Sequence, residues 1–159
     1  ALRNTGTGTF TLSGTLTTST GPENVILADL DGDGDLDAAT SNTGADNVTI
    51  FKNNGSGTFA PGFNYAAGDA PLPLSAADYD NDGDLDLLIP AYNTDRLMLL
   101  INNGTGAFPT RQEFACSGGP IAAAVGDMDG DGDPDAVSGN FDGDSLSVYL
   151  NGSPCPEVP

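Results

Sequence analysis

The sequence predicts an all-β fold: β-propeller-type blades of four antiparallel strands, in about three 49-residue repeats, with one blade split between the termini. Three observations carry this expectation. An acidic run, "DLDGDGDLD" at 29–37, returns as "DYDNDGDLD" at 78–86 and "DMDGDGDPD" at 127–135, so its starts at Asp29, Asp78 and Asp127 stand 49 residues apart without a gap. The same step links Phe10, Phe59 and Phe108; Pro22, Pro71 and Pro120; Asp46, Asp95 and Asp144; and Asn53-Asn54-Gly55 with Asn102-Asn103-Gly104. A period of about 50 residues suits the four short strands of a propeller blade. Finally, 22 Gly and 11 Pro, with abundant Thr, Ser and Asn, argue for short strands joined by turns and against helix.

Each element of the repeat is bounded by turn residues. "NVILA" (24–28) leads into the acidic loop and "LDAAT" (36–40) leaves it. "NVTIF" (47–51) alternates apolar and polar residues before the Asn-Asn-Gly turn, and "FTLSGTLT" (10–17), equivalent to "FAPGFNYA" (59–66) and "FPTRQEFA" (108–115), follows that turn. The first two strands, rich in Ala, Val, Ile and Leu, are expected to be the inner ones. Pro61, Pro109, Arg111 and Glu113 mark the fourth strand as an outer edge, where a missing donor is tolerated and charge discourages pairing. The expected division is an outer strand of a split blade over 1–20, repeats at 21–69 and 70–118, a repeat at 119–153 lacking its outer strand, and a tail at 154–159. The two end pieces are complementary, as in a propeller closed by a strand from the opposite end of the chain.

A chain of 159 residues is one domain's worth of material. Its 4 Lys and Arg against 23 Asp and Glu give a formal net charge of −19, which excludes nucleic acid and anionic membrane as attractive partners and makes cations the natural ones. The absence of His and Trp removes the commonest general base and the best sugar-stacking ring. No apolar run reaches the roughly 18 residues of a membrane span, so no membrane insertion is expected. Nothing at Ala1 resembles a signal peptide, which leads to the expectation of a mature secreted chain or an excised piece. Cys116 and Cys155 could be joined by a disulfide in an oxidising compartment or remain free thiols.

The acidic loops are a cation cage in outline. Asp29, Asp31, Asp33 and Asp37 occupy loop positions 1, 3, 5 and 9, and Gly34 at position 6 permits a sharp turn. Alternate positions on a tight loop can aim carboxylates at a common centre, with the backbone carbonyl of Asp35 at position 7 as a further donor. A flexible all-oxygen cage favours Ca²⁺, which accepts 6 to 8 oxygens, over Mg²⁺, which demands a stricter octahedron. An EF-hand requires Glu at position 12; here Thr40, Ile89 and Ser138 stand there, and flanking helices are implausible.

With their DxDxDGxxD loops and the Phe, Gly-Pro and NNGxGxF landmarks at constant spacing, residues 4–153 resemble FG-GAP/VCBS repeats of the integrin-alpha propeller type. The resemblance implies one calcium per loop, between the first and second strands of each blade, about three in all. It assigns as ligands Asp29, Asp31, Asp33, Asp35 (carbonyl) and Asp37; Asp78, Asp80, Asp82, Asp84 (carbonyl) and Asp86; and Asp127, Asp129, Asp131, Asp133 (carbonyl) and Asp135. Pro134 replaces the usual leucine at position 8, which is not a ligand. Family propellers close a ring with more blades than three repeats supply, so the chain is expected either to belong to a longer one or to self-associate. The functional expectation is a non-enzymatic, calcium-stabilised extracellular or cell-surface module for adhesion or for binding protein or glycan. The alternative is a self-assembling ring or filament subunit completed by strand exchange. Tyr65, Tyr79, Tyr92 and Tyr149 could stack on sugar, although strand aromatics usually serve packing. Asn47, Asn54, Asn103 and Asn151 stand in N-glycosylation sequons, although Asn-Gly is also a favoured hairpin turn.

Overall fold

The structure is a computed structural model that describes residues 2–4, 6 and 8–152, with 2–4 described by their backbone. The expected all-β architecture is what the chain adopts. A hairpin of β1 (Leu2–Asn4) and β2 (Phe10–Leu12) precedes three antiparallel sheets. The first contains β3 (Pro22–Ala28), β4 (Asp37–Asn42), β5 (Asn47–Phe51) and β6 (Phe63–Ala66) in chain order. The second repeats that order with β7 (Ser75–Ala77), β8 (Asp86–Ala91), β9 (Arg96–Ile101) and β10 (Thr110–Ala115). The third has three strands, β11 (Pro120–Gly126), β12 (Asp135–Asn140) and β13 (Ser145–Tyr149). A single 3-10 turn at Tyr92–Thr94 is the only helical segment among the described residues.

The core lies between the sheets. Because strand side chains alternate faces, β8 is buried on both sides and serves two clusters. Its Leu87 and Ile89, with Met98 and Leu100 of β9, meet Ala39, Val48 and Ile50 of the first sheet. Its Leu88, with Leu97 and Leu99, meets Ala136 and the half-buried Ala123, Val125 and Tyr149 of the third. The second sheet is therefore sandwiched between the first and the third. Fully burying a side chain such as Ile89 contributes about 1.5–3 kcal/mol, which makes these two interfaces the main source of cohesion. The edge character of the fourth strand is also realised: residues of β10 are mostly exposed, and Arg111 and Glu113 pair at 2.9 Å.

The aspartate landmark between the second and third strands of each repeat now has a cause. Asp46, Asp95 and Asp144 hold φ of 55°, 54° and 44°, the left-handed conformation that Asp tolerates better than most residues. The Oδ1 of Asp46 accepts the Ala70 N–H at 3.1 Å, and that of Asp95 accepts the Gly119 N–H at 2.7 Å. The first two hairpins are thus tied to the start of the next repeat. The residue bonded there is itself left-handed: Gly21, Ala70 and Gly119, one repeat apart, have φ of 70°, 54° and 55°. Ala is the misfit, since a Cβ in this region costs about 1–2 kcal/mol. Ala70→Gly is expected to leave the melting temperature unchanged or raise stability by up to about 1 kcal/mol after the greater chain entropy of Gly is subtracted. Urea unfolding reads this; a destabilised variant would contradict the strain at Ala70.

Candidate metal centres

Each acidic loop spans the gap between the first and second strands of its sheet and is folded by its own aspartates. Asp29 accepts the N–H groups of Gly32 at 2.9 Å and Gly34 at 3.0 Å. Asp78 accepts those of Asp82 at 3.1 Å and Gly83 at 3.0 Å, and Asp127 those of Gly130 at 2.7 Å and Gly132 at 3.2 Å. Asp33, Asp82 and Asp131 each accept the N–H two residues on, at 2.9 Å. Position 6 is left-handed in all three loops, with φ of 90°, 96° and 96° at Gly34, Gly83 and Gly132, as the turn required.

The loops draw carboxylates together. Oxygens of Asp29, Asp31 and Asp33 lie within 4.8 Å of one another, as do those of Asp78, Asp80 and Asp86 and those of Asp127, Asp129 and Asp135. The side chains at position 7 turn elsewhere. Asp35 and Asp84 lie against the turn glycines Gly55 and Gly104, where an added Cβ would collide with the carboxylate, and Asp133 accepts the Asn81 Nδ2–H at 2.6 Å. None of these three carboxylates belongs to the converging clusters.

The residues fit a hard cation. Every donor is an oxygen, and in the first loop the Oδ1 of Asp31 is buried with no hydrogen-bond partner. The other Asp31 oxygen is 3.6 Å from Lys52 Nζ, which also donates to the Thr105 carbonyl of the neighbouring repeat. One exposed ammonium leaves three clustered carboxylates largely uncompensated, and a buried acceptor without a donor is the demand that a metal ion would meet. Desolvation raises the pKa of Asp80 and of Asp129, and like charge adds to it, chiefly from Asp82 and Asp131 respectively.

Position 9 has a second task. Asp37, Asp86 and Asp135 are fully buried. Asp37 accepts the N–H of Leu30 at 3.1 Å and of Asn53 at 2.7 Å; Asp86 those of Tyr79 at 3.0 Å and Asn102 at 2.7 Å; Asp135 those of Met128 at 2.7 Å and Asn151 at 2.8 Å. Each carboxylate thus braces the acidic loop to the turn after the third strand. Burial pushes the pKa of Asp37 and Asp86 up against the opposing pull of these bonds, whereas at Asp135 the Met128 and Asn151 bonds prevail and hold it down.

The turn asparagine, noticed in the sequence only as a landmark, completes the connection between repeats. Asn102 Nδ2 donates to the carbonyls of Leu30 at 2.8 Å and Leu85 at 3.0 Å, while its Oδ1 accepts the N–H groups of Asn103, Gly104 and Gly106. Asn151 Nδ2 likewise reaches the Tyr79 carbonyl at 2.7 Å. Leu30 and Tyr79 occupy position 2 of the preceding loop, so the first and second loops are each held by their own repeat and by the next. Three of the four tyrosines pack: Tyr65 against Phe63 and Phe108, Tyr79 in the core, and Tyr149 against Phe114 with its hydroxyl donating to the Ala115 carbonyl at 2.8 Å. Cys116 is a free, half-buried thiol in the structure, while its expected pairing with Cys155 falls outside the described residues.

No match was found among curated proteins. A family model for the FG-GAP-like repeat matches residues 1–40, 38–89 and 78–138, segments that carry the three acidic loops and the first two four-stranded sheets. The chain belongs to the family of FG-GAP-like repeat proteins.

Proposed function

We propose that the chain is a calcium-stabilised, extracellular scaffold module that presents its sheets and loops for adhesion, binding a protein or glycan rather than catalysing a reaction. The single observation that carries this is the threefold recurrence of one construction, an acidic hairpin loop whose carboxylates converge within 4.8 Å, with the first two loops also hydrogen-bonded to the next repeat. The side chains of Asp29, Asp31 and Asp33, of Asp78, Asp80 and Asp86, and of Asp127, Asp129 and Asp135 would hold the ion, with the carbonyls of Asp35, Asp84 and Asp133 beside them. Bound Ca²⁺ would supply charge neutralisation and loop rigidity, and extracellular sites of this kind function at dissociation constants of about 0.1–1 mM. The formal charge of −19 favours a neutral or basic ligand surface. Among the described residues the converging carboxylate groups all belong to these loops, which favours metal binding over acid-base catalysis.

Equilibrium dialysis against millimolar Ca²⁺ followed by elemental analysis is the direct test. About three calcium ions per chain are expected, one for each cluster, with weaker uptake of Mg²⁺. Retention of less than one ion per chain would overturn the reading. A second reading, a self-assembling structural subunit in a ring or filament, is favoured by the three-stranded third sheet beside two four-stranded ones.

A further inference from the structure

The interfaces between sheets repeat along with the sequence, and one of them is incomplete among the described residues. Between the first and second sheets Phe108 is buried in the core cluster that contains Leu30 and Ile50, its ring edge-on to Tyr65 at 5.4 Å. One repeat further on, between the second and third sheets, is a cavity of about 250 Å³ lined by Tyr79, Leu99, Phe114 and Asn151 among others. These are the register equivalents of Leu30, Ile50, Tyr65 and Asn102. The position that should deliver the ring is Glu157, in a stretch "GSPCPE" (152–157) that no longer follows the repeat.

The missing ring exists elsewhere in the chain. Phe10 shares the register of Phe59 and Phe108 and is 58% exposed. Leu16, the equivalent of Tyr65 and Phe114, is 43% exposed. Opposite them, Leu146 and Val148 of β13 are 70% and 60% exposed, although their equivalents Val48 and Ile50 are buried against the second sheet. The chain's own segment is on the wrong side: Thr18 donates to Asn42 at 2.7 Å on the first sheet, with the second sheet between it and β13.

We propose that residues 10–17 of a second copy form the fourth strand of the third sheet, with Phe10 filling the cavity between the second and third sheets, so that copies join head to tail. The register follows from the complete sheets, where Val48 pairs with Tyr65 and Leu97 with Phe114, and Ile50 with Phe63 and Leu99 with Gln112. Leu146 then faces Leu16, and Val148 faces Gly14. The strand that follows brings the incoming first sheet onto the third, placing exposed Val25 and Leu27 where their equivalents Leu74 and Ala76 already pack. A contact of this heterologous kind yields a ring if its rotation closes and a filament if it does not. The interface follows from the repeat register and not from ion occupancy, so assembly without bound calcium would leave it standing while counting against the metal reading.

The test is the association state of the 159-residue chain in calcium, by analytical ultracentrifugation from micromolar to several hundred micromolar. Oligomers that grow with concentration are expected. Leu16→Asp and Val148→Asp, both at positions exposed in the single chain, should each be folded monomers by circular dichroism. Their equimolar mixture should form a dimer and stop there, because a single intact interface remains. Phe10→Ala should weaken wild-type association at least tenfold. A wild-type monomer at every concentration, a mixture that does not dimerise, or assembly indifferent to Phe10→Ala would each overturn the proposal; should either aspartate variant fail to fold, the Phe10→Ala comparison decides alone.

Discussion

Stripping divalent cations with EDTA is expected to lower the melting temperature by about 15–30 °C relative to the same chain in millimolar Ca²⁺. Each site occupied at about 100 times its dissociation constant adds roughly 2.7 kcal/mol to the folded state. Three sites together approach the whole stability of a small domain, about 5–15 kcal/mol. For a chain of this size each kcal/mol moves the midpoint by about 2–4 °C, which sets the expected range. The cause is local: without an ion, each loop must hold converging carboxylates in a turn that its own backbone has closed around them, and the unpartnered Asp31 oxygen stays buried. In the first loop Lys52 stands 3.6 Å from Asp31 and offsets part of that cluster's charge, so Lys52→Met should deepen the apo-state loss. Melts recorded by near-ultraviolet circular dichroism in calcium, magnesium and EDTA would read this, and three superimposable curves would remove calcium from the account.

Much of this architecture was legible in the sequence because a repeat states its instructions several times. A nine-residue motif seen once is a turn; seen at 29, 78 and 127, with glycine fixed at position 6, it specifies a loop on a hairpin. The strand order followed from where turn residues interrupt apolar runs, and the outer-edge placement of Arg111 and Glu113 from their charge. What was not legible depends on contacts between repeats. Nothing in a one-dimensional pattern says that Asn102 reaches 72 residues back to the Leu30 carbonyl, or that Asp46 holds Ala70, because those partners are chosen by how one sheet stacks on the next. The tyrosines illustrate the same limit: Tyr65 and Tyr149 in strands and Tyr79 in a loop could each be read as sugar-stacking rings, yet their neighbours pack them against the core. Residues 10–17 read as a fourth strand from the repeat register, while within the chain Phe10–Leu12 pairs with Leu2–Asn4 in a separate two-stranded hairpin.

Position 9 serves the architecture as well as the acidic cluster, and Asp86 shows the architectural share most clearly. It is fully buried in the central sheet, and both its oxygens are committed to backbone donors, Tyr79 at 3.0 Å and Asn102 at 2.7 Å. Removing the carboxylate leaves two buried N–H groups without acceptors, each costing about 1–3 kcal/mol. Asp86→Ala should therefore destabilise the chain by about 2–6 kcal/mol, and it should do so in EDTA as well as in calcium. Asp80, exposed at position 3 of the same loop, supplies the contrast. Asp80→Asn should reduce stability in calcium by weakening the cluster, yet leave the metal-free chain unchanged or slightly more stable because one of three crowded charges is gone. Urea denaturation of both variants in the two conditions forms the comparison. If Asp86→Ala were destabilising in calcium alone, the buried carboxylate would be a ligand and nothing more, and the hydrogen bonds from Tyr79 and Asn102 would not be the brace that joins loop to turn.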